Sequence, residues 1–383
     1  MTEWNRIRDD FPVTKNIIYF QSAGMSPLPN SVYQNIIDNY RVINQFGDIH
    51  WEKDMEKFKH LCASIASMIN SKADNITFLP STSQVMSLLA LSFKQSVKKS
   101  FNVVSMQDEF PASTVGWEYQ GITMRYVEPV QGRYSVESIL SLTDEKTIAV
   151  VTSYVQYVTG FRQDLAALGR ELKKRKIFHI VNATQGFPFF PIDTKKMHID
   201  ALSASVHKWG MTGHVGALFF SSESFRKKFP TPLAGWLSVA PSGEDFIHTA
   251  KNQPFHLWDS ARRYQIGTFN LQPLLAFQTA LNYMNKIGFE DIRQRIFDLT
   301  DHLIQGLKEL NIKIISPIDH PDERSPIITF TLGDKSLHCI KTLEKKKIYV
   351  SFRGGNIRVS LNIFNNYTDI DLLLKALQQF VPN

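Results

Sequence analysis

The sequence predicts an α/β fold in which a large domain around a mostly parallel sheet is followed by a small α+β domain. Between residues 75 and 221, short apolar runs that suit buried strands alternate with helical stretches, as expected of strand–helix–strand units. From about residue 288 this alternation ends, and a long helical stretch precedes closely spaced strands and helices. We therefore predict a large domain at residues 17–287 and a small domain at residues 288–383, the latter joined by residues 1–16.

Composition excludes several classes of protein. The 383-residue chain is 43% hydrophobic and 21% charged, which is ordinary for a soluble globular protein. No apolar stretch suits a membrane span, and two cysteines are too few for a disulfide framework, so we expect a cytoplasmic protein. Neither cysteine belongs to a Cys/His cluster, and we predict no metal site. The formal net charge of +7 comes from scattered basic clusters without interleaved aromatic residues, so we predict no nucleic-acid binding.

The first strand–helix unit carries hydroxyl residues at its junction. An extended N-terminal run breaks at Ala23 and Gly24 before a helix. A strand at residues 75–79 then leads through Thr82 and Ser83 into an apolar helix. Small hydroxyl residues at a helix start cap its free amides, and the same amides together with the helix dipole favour an anion. Thr82 and Ser83 are therefore candidate phosphate ligands as well as caps.

Three buried strands are predicted between residues 177 and 221, each followed by polar residues. The run 201–206 has the right length for a strand buried on both faces, so Lys208 arrives at the carboxyl edge of the sheet, where open α/β folds bind ligands. A lysine desolvated there loses its proton and acts as a nucleophile toward an aldehyde. A solvated surface cation is the competing interpretation. Ser205 and His207, which flank the lysine, can form a pocket for an oxyanion.

The residues around Lys208 resemble those of the class V aminotransferases, a family of pyridoxal-phosphate enzymes. The motif SVHKW (205–209) follows a small-residue strand, is preceded by NATQ (182–185) and is followed by GHVGALFF (213–220). The resemblance covers nearly the whole chain and implies a pyridoxal-phosphate-dependent transferase of fold type I, with the last of the three strands reversed. It further implies that pyridoxal 5′-phosphate is bound to Lys208 as a Schiff base and held at its phosphate by the serine and histidine of the motif.

Further positions match residues that bind cofactor or substrate in this family. The resemblance implies that Phe110 stacks on the pyridine ring, which requires only a flat face, and that Gln185 contacts the phenolic oxygen. Tyr157 stands where desulfurases carry an asparagine, and it is either a hydrogen-bond donor to that oxygen or a wall of the substrate pocket. Thr82 and Ser83 match a segment that binds the phosphate, and Ala23 and Gly24 match a segment that lines the substrate pocket.

Two later segments match the family in the dimer contact and in substrate binding. Thr268, shortly before a helix at residues 271–287, matches a threonine that reaches the phosphate of the partner subunit, so the resemblance implies a homodimer with a shared active site. Arg358 matches the arginine that binds the substrate carboxylate, a role suited to a planar guanidinium. Arg353 is the second choice for this role, and a solvated surface arginine is the competing interpretation.

Two departures from the family pattern bear on the reaction. Asn182 stands where the family has an aspartate facing the ring nitrogen, and because an amide supplies no net charge, the cofactor should be a weaker electron acceptor. This disfavours a fast transaminase and leaves racemisation, a lyase reaction or an impaired homologue open. Desulfurases carry a nucleophilic cysteine on a loop before the substrate arginine, and residues 346–356 contain none. We therefore expect no cysteine desulfurase activity.

These observations lead to one expected function and two alternatives. We expect a pyridoxal-phosphate enzyme that acts on an amino acid through Lys208, in the transferase class of the class V aminotransferases. The first alternative is an isopenicillin N epimerase-like racemase or a lyase. The second is a protein that binds the cofactor without turnover, because of Asn182.

Overall fold

A computed structural model describes residues 3–241 and 254–381. Within them the α-helices are α1 (Glu3–Asp9), α2 (Asn30–Phe46), α3 (Trp51–Met68), α4 (Thr82–Ser96), α5 (Val115–Tyr119), α6 (Val136–Ser141), α7 (Leu165–Lys174), α8 (Glu223–Lys228), α9 (Leu271–Ile287), α10 (Phe289–Glu309), α11 (Ser336–Lys345) and α12 (Tyr367–Leu377). The strands are β1 (Ile18–Tyr19), β2 (Ile76–Leu79), β3 (Asn102–Met106), β4 (Thr123–Val127), β5 (Thr147–Ser153), β6 (Phe178–Asn182), β7 (Ala201–Ser205), β8 (Ala217–Ser221), β9 (Lys313–Ile314), β10 (Ile327–Thr331), β11 (Ile348–Tyr349), β12 (Ser351–Arg353) and β13 (Asn356–Ser360).

Seven strands form the central sheet, in the order β2-β8-β7-β6-β5-β3-β4. Strands β3 to β7 pair in parallel, whereas β8 is antiparallel to both of its neighbours. The predicted α/β fold with a mostly parallel sheet is confirmed, including the reversed strand. Because β2 runs in the same direction as β3 to β7, the carboxyl ends of these six strands lie at one edge of the sheet.

Short polar residues set the starts of the helices that pack on this sheet. Ser81 caps α4, where its hydroxyl accepts a hydrogen bond from the Gln84 N–H at 3.2 Å. Asp164 caps α7 by accepting from the Ala167 N–H at 2.8 Å. Each cap satisfies an amide that has no partner inside its helix, so each helix begins at a defined residue next to a strand end.

Strand β4 and the short helices α5, α6 and α8 are not evident from the sequence. Strand β4 lies at the edge of the sheet, with an exposed first residue and a half-buried middle, so it is not a continuous apolar run. The three helices have five or six residues each, too few for a helical period to be visible in the sequence. Strands β11 and β12 follow each other closely in the chain but belong to different sheets.

The C-terminal part of the chain forms a four-stranded antiparallel sheet in the order β12-β13-β10-β9. Strand β1 pairs in parallel with β11, and Gln21 forms a bridge with Ser360, so residues 18–21 lie beside this C-terminal part. The N–H of Ser26 then donates to the carbonyl of His207 at 3.1 Å. The N-terminal segment thus connects the small sheet to the loop after β7. The division of the chain into two domains stays a prediction.

In the described part of the chain, no helix combines the length and the apolar character needed to cross a membrane. The same residues contain no group of three or more histidine, cysteine, aspartate or glutamate side chains arranged to hold a metal ion.

Candidate active site

A cavity of about 330 Å³ opens at the carboxyl edge of the central sheet, against the C-terminal sheet. Most of the predicted site residues line it: Ala23, Gly24, Thr82, Ser83, Phe110, Tyr157, Asn182, Gln185, Ser205, His207, Lys208 and Arg358. Residues from distant parts of the chain meet here because the parallel strands end at one edge and the N-terminal segment crosses it.

Lys208 lies in this cavity three residues after the end of β7. The pKa of Lys208 is lowered to about 7, first by burial and then by the positive charges of Arg358 and Arg353. The amine therefore has a substantial neutral fraction at neutral pH, which is the form that acts as a nucleophile or base. The Nζ atom lies 5.4 Å from the centroid of the Phe110 ring.

Hydroxyl groups cluster where α4 begins. Oγ1 of Thr82 lies 2.9 Å from Oγ of Ser205 and accepts a hydrogen bond from Oγ of Ser203 at 3.1 Å. The backbone N–H of Ser205 donates to Oγ1 of Thr184 at 3.0 Å. This cluster and the positive end of the α4 dipole favour an anion at this side of the cavity.

His207 stands beside this cluster and lines the same cavity. The pKa of His207 is lowered to about 4, first by burial and then by Lys208 and His214. The ring of His214 lies 4.4 Å away, measured between centroids. At neutral pH the imidazole is therefore uncharged and offers one N–H donor.

Two side-chain amides on the cavity wall are oriented by the protein itself. Nδ2 of Asn182 donates to Oγ of Ser113 at 2.9 Å, and its Oδ1 accepts from the Thr184 N–H at 3.1 Å. Oε1 of Gln185 accepts from Nε1 of Trp209 at 2.9 Å. Because a backbone N–H and an indole N–H are donors only, these bonds identify the oxygen of each amide. Each amide keeps one N–H that can serve a ligand.

Aromatic side chains form another wall. The ring of Phe110 is half-exposed and meets the ring of Tyr157 edge-on, with centroids 5.2 Å apart and an interplanar angle of 81°. Burial raises the pKa of the Tyr157 hydroxyl, and the negative charge of Asp108 raises it further. Tyr157 is therefore protonated at neutral pH and is a donor to any acceptor in the cavity. Both predicted roles of Tyr157 stay open. The stacking of the cofactor's pyridine ring on Phe110 also stays a prediction.

Arg358 brings a buried positive charge to the cavity. Its Nη1 donates to the carbonyl of Tyr157 at 2.7 Å, but its Nε has no hydrogen-bond partner among the described residues. The pKa of Arg358 is lowered to about 10, first by burial and then by the positive charge of Arg353. Arg353 lines the same cavity, although its side chain is exposed and donates to the neighbouring carbonyl of Phe352. A buried guanidinium with a free donor is suited to a carboxylate ligand.

Thr268 lies apart from the cavity that contains Lys208. It lines an adjoining cavity of about 570 Å³, which also touches Ser81, Ser205 and His207. Ser81, Ser205 and His207 line both cavities, so the two cavities adjoin at these residues. The predicted contact of Thr268 with the phosphate of a partner subunit stays a prediction.

Glu109 is a buried carboxyl group that is not among the site residues predicted from the sequence. Its carboxylate accepts hydrogen bonds from the N–H and from the hydroxyl of Ser153, both at 2.5 Å. Burial raises the pKa of Glu109 to about 7, although the hydrogen bonds from Ser153 act in the opposite direction. In the sequence, Asp108 and Glu109 resemble a solvated loop. The sequence signal that could have identified Glu109 is its position shortly after β3 and directly before Phe110.

The two cysteines lie outside the cavity. Cys62 and Cys339 are both buried and free. Burial raises the pKa of each thiol to about 12. Since the reactive form of cysteine is the thiolate, neither side chain is placed or ionised to take part in chemistry at Lys208.

Both the sequence and the fold of this chain are similar to those of known proteins. A family model described as "Aminotransferase class-V" matches residues 18–373. A protein named "Probable cysteine desulfurase" from Pyrococcus abyssi (strain GE5 / Orsay) is 25% identical, over 98% of this chain and 97% of that protein. The apo cysteine desulfurase from Thermococcus onnurineus NA1 has a TM-score of 0.87 at 20% identity, over 98% of each chain.

The cystine C–S lyase C-DES is similar in structure as well. Its complex with the reaction product cysteine persulfide has a TM-score of 0.86 at 18% identity, over 97% of this chain and 100% of that chain. A C-DES variant with glycine covalently linked to its PLP cofactor has a TM-score of 0.86 at 17% identity, over 97% of this chain and 98% of that chain. These likenesses to solved structures show a common fold.

Proposed function

Because this chain belongs to the class V aminotransferase family, whose cofactor is pyridoxal 5′-phosphate, we propose that it transforms an amino acid with Lys208 as the cofactor attachment point and the base. The observation that carries the proposal is that one cavity holds both the amine of Lys208, whose pKa is lowered to about 7, and the guanidinium of Arg358, whose Nε has no hydrogen-bond partner among the described residues. The first group can attack an aldehyde and move a proton, and the second can bind a carboxylate.

The residues present fit this cofactor. Thr82, Ser205 and the start of α4 supply hydroxyl and amide donors for a phosphate, and neutral His207 adds a further N–H. Asn182 offers an N–H group to the ring nitrogen, and Gln185 offers one to the phenolic oxygen. When bound, pyridoxal phosphate supplies an aldehyde carbon that joins to amines and a ring that withdraws electrons from the α-carbon.

The side chains then have distinct tasks around an incoming amino acid. Arg358 holds the α-carboxylate, and its guanidinium fixes the orientation of the α-carbon. Lys208, with its pKa near neutrality, takes the α-proton and returns a proton at the end of the reaction. Tyr157 lines the same cavity, with its ring against Phe110 and its carbonyl bonded to Arg358, so it can narrow the space left for the substrate side chain.

Among the reactions open to such a site, we propose transfer of the amino group to a 2-oxo acid. The test incubates the cofactor-loaded protein with a panel of L-amino acids and a different 2-oxo acid as the acceptor in deuterated water. Proton NMR follows the α-hydrogen, and mass spectrometry detects the 2-oxo acid product. Exchange together with product formation supports amino transfer, whereas exchange alone points to racemisation. A protein that binds the cofactor but exchanges no α-proton contradicts the proposal.

Cleavage of a carbon–sulfur bond is the second candidate, because the curated relative and the structural relatives carry the names of cysteine desulfurases and a cystine C–S lyase. These names give no support to our expectation against desulfuration. Cys62 and Cys339 are both buried and the sequence holds no third cysteine, so no thiol of the chain is placed to take up the sulfur. Sulfur would leave on a small molecule. Release of sulfide or persulfide from L-cystine, without added mass on the protein, would favour this candidate.

We further propose that the protein is a homodimer with Thr268 at the shared site. The proposal is supported by the position of Thr268 in a cavity that adjoins Ser205 and His207. Light scattering after size-exclusion chromatography tests it. A monomer that retains full cofactor affinity would contradict it.

A further inference from the structure

Arg353 and Arg358 lie on the same face of the hairpin formed by β12 and β13. In this hairpin Ser351 is the register partner of Arg358, and Arg353 is the register partner of Asn356. Residues two apart in a strand point to the same face, so Arg353 shares with Ser351 the face that carries Arg358. Diagonal neighbours of this kind in an antiparallel pair lie roughly 7–8 Å apart. The two guanidinium groups can therefore reach one ligand from the same side.

The turn between the two strands fixes this register. Gly354 and Gly355 form a two-residue loop, and both have positive φ, of 53° and 78°. Such a loop matches the right-handed twist of a hairpin, and glycine adopts its conformation without a steric cost. A register shifted by one residue would move Arg353 to the opposite face. The sequence RGGNIR (353–358) thus places both of its arginines on one face.

Positive charge accumulates in the cavity that this face borders. Arg353, Arg358 and Lys208 all line it, and none of the described residues in its lining is an aspartate or a glutamate. The two guanidinium groups donate to backbone carbonyls, Arg353 to that of Phe352 and Arg358 to that of Tyr157. Since a guanidinium has five N–H groups, both arginines keep donors for a ligand. A ligand with a single carboxylate would leave part of this charge without a counterion.

We propose that the substrate is a dicarboxylic amino acid, whose α-carboxylate is bound by Arg358 and whose side-chain carboxylate is bound by Arg353. The inference rests on the proposed function, in which the phosphate of the cofactor has its own donors in Thr82, Ser205 and the start of α4. Buried Arg358 suits the carboxylate that all amino acids share, whereas Arg353, which is exposed, suits the group that differs between them. Arg353 thus determines specificity and takes no part in moving the α-proton.

Binding of acids that have no amino group tests this preference without turnover. Glutarate and glutaramate have nearly the same shape, but glutaramate has an amide in place of one carboxylate. Isothermal titration calorimetry of the protein, with and without pyridoxal phosphate, should show glutarate binding about 10-fold more tightly than glutaramate. Arg353→Gln should remove most of this difference, whereas Arg353→Lys, which keeps the charge, should retain most of it. Arg175→Gln removes an exposed charge outside the cavity and should preserve the difference.

Substrate choice gives an independent readout. Exchange of the α-hydrogen in deuterated water is compared for L-glutamate with L-glutamine and for L-aspartate with L-asparagine. In at least one pair the cofactor-loaded protein should exchange the acidic member about 10-fold faster, and Arg353→Gln should reduce this ratio. Equal binding of glutarate and glutaramate, or a preference that survives unchanged in Arg353→Gln, would overturn the inference. A preference for glutarate in a protein that exchanges the α-hydrogen of no amino acid would support the two-carboxylate site and contradict the proposed function.

Discussion

Nε1 of Trp209 donates a hydrogen bond to Oε1 of Gln185 at 2.9 Å, and Nε2 of the same glutamine donates to the carbonyl of Ala23 at 2.9 Å. One buried amide therefore joins the loop after β7, the loop after β6 and the N-terminal segment. These three segments form adjacent parts of the cavity that contains Lys208. The position of the lysine thus depends on contacts between segments far apart in the chain.

Trp209→Phe should weaken cofactor binding roughly 5-fold to 10-fold, because it leaves Oε1 of Gln185 buried without its donor. The dissociation constant of pyridoxal phosphate, measured by fluorescence titration of the cofactor-free protein, checks this. Trp117→Phe is a matched control, since Nε1 of Trp117 is buried without a hydrogen-bond partner in the described residues. Equal affinities in the two variants would show that the Trp209 bond does not hold the site.

Arg353→Gln should raise the pKa of Lys208 by about half a unit, since the positive charge of Arg353 is one of the causes that lower it. The rate of covalent attachment of pyridoxal phosphate to the cofactor-free protein should be half-maximal near pH 7 in the natural chain and at higher pH in the variant. Because Arg353 is exposed, the difference should shrink in high salt. Arg175→Gln removes a distant exposed charge, and a shift of equal size there would contradict the prediction.

Glu109 should make the cofactor-free protein less stable as the pH rises. Its pKa is raised from 4.5 to about 7 in the folded state, so the folded state binds the proton more tightly than the unfolded state. The resulting stabilisation is complete below pH 4.5 and is lost as the pH rises through 7. Between pH 5 and pH 8, ionisation of Glu109 should lower the free energy of unfolding of the natural chain by on the order of 3 kcal/mol. The Glu109→Gln variant should not show this loss.

Urea unfolding of both proteins at the two pH values measures this difference. The comparison between pH values removes the constant effect of changed hydrogen bonds to Ser153. Glu137→Gln, at an exposed position of α6, should follow the natural chain at both pH values. A stability difference between Glu109→Gln and the natural chain that is independent of pH would contradict the raised pKa.

The sequence was most informative where residues directly follow buried strands. Asn182 ends β6 and Lys208 follows β7, and because parallel strands end at one edge, their meeting follows from topology. The burial of Glu109 could not be predicted in this way. It depends on Ser153, which lies at the end of β5 and far from Glu109 in the sequence, whereas the local sequence of two acidic residues in a loop is typical of a solvated turn. Likewise, the separation of Thr268 from the lysine cavity depends on the packing of the loop before α9.

Thr82→Val should weaken binding of pyridoxal phosphate about 10-fold and leave binding of pyridoxal, which lacks the phosphate, unchanged. Valine keeps the shape of threonine but removes the hydroxyl that lies 2.9 Å from Ser205 and accepts from Ser203 at the start of α4. The lost donor matters only to an anion at that end of the cavity, because charged ligands gain most from such hydrogen bonds. Thr77→Val is a matched control on β2, where the buried hydroxyl has no partner among the described residues. If Thr82→Val weakened the binding of both ligands equally, the hydroxyl of Thr82 would serve the structure of the loop rather than the phosphate.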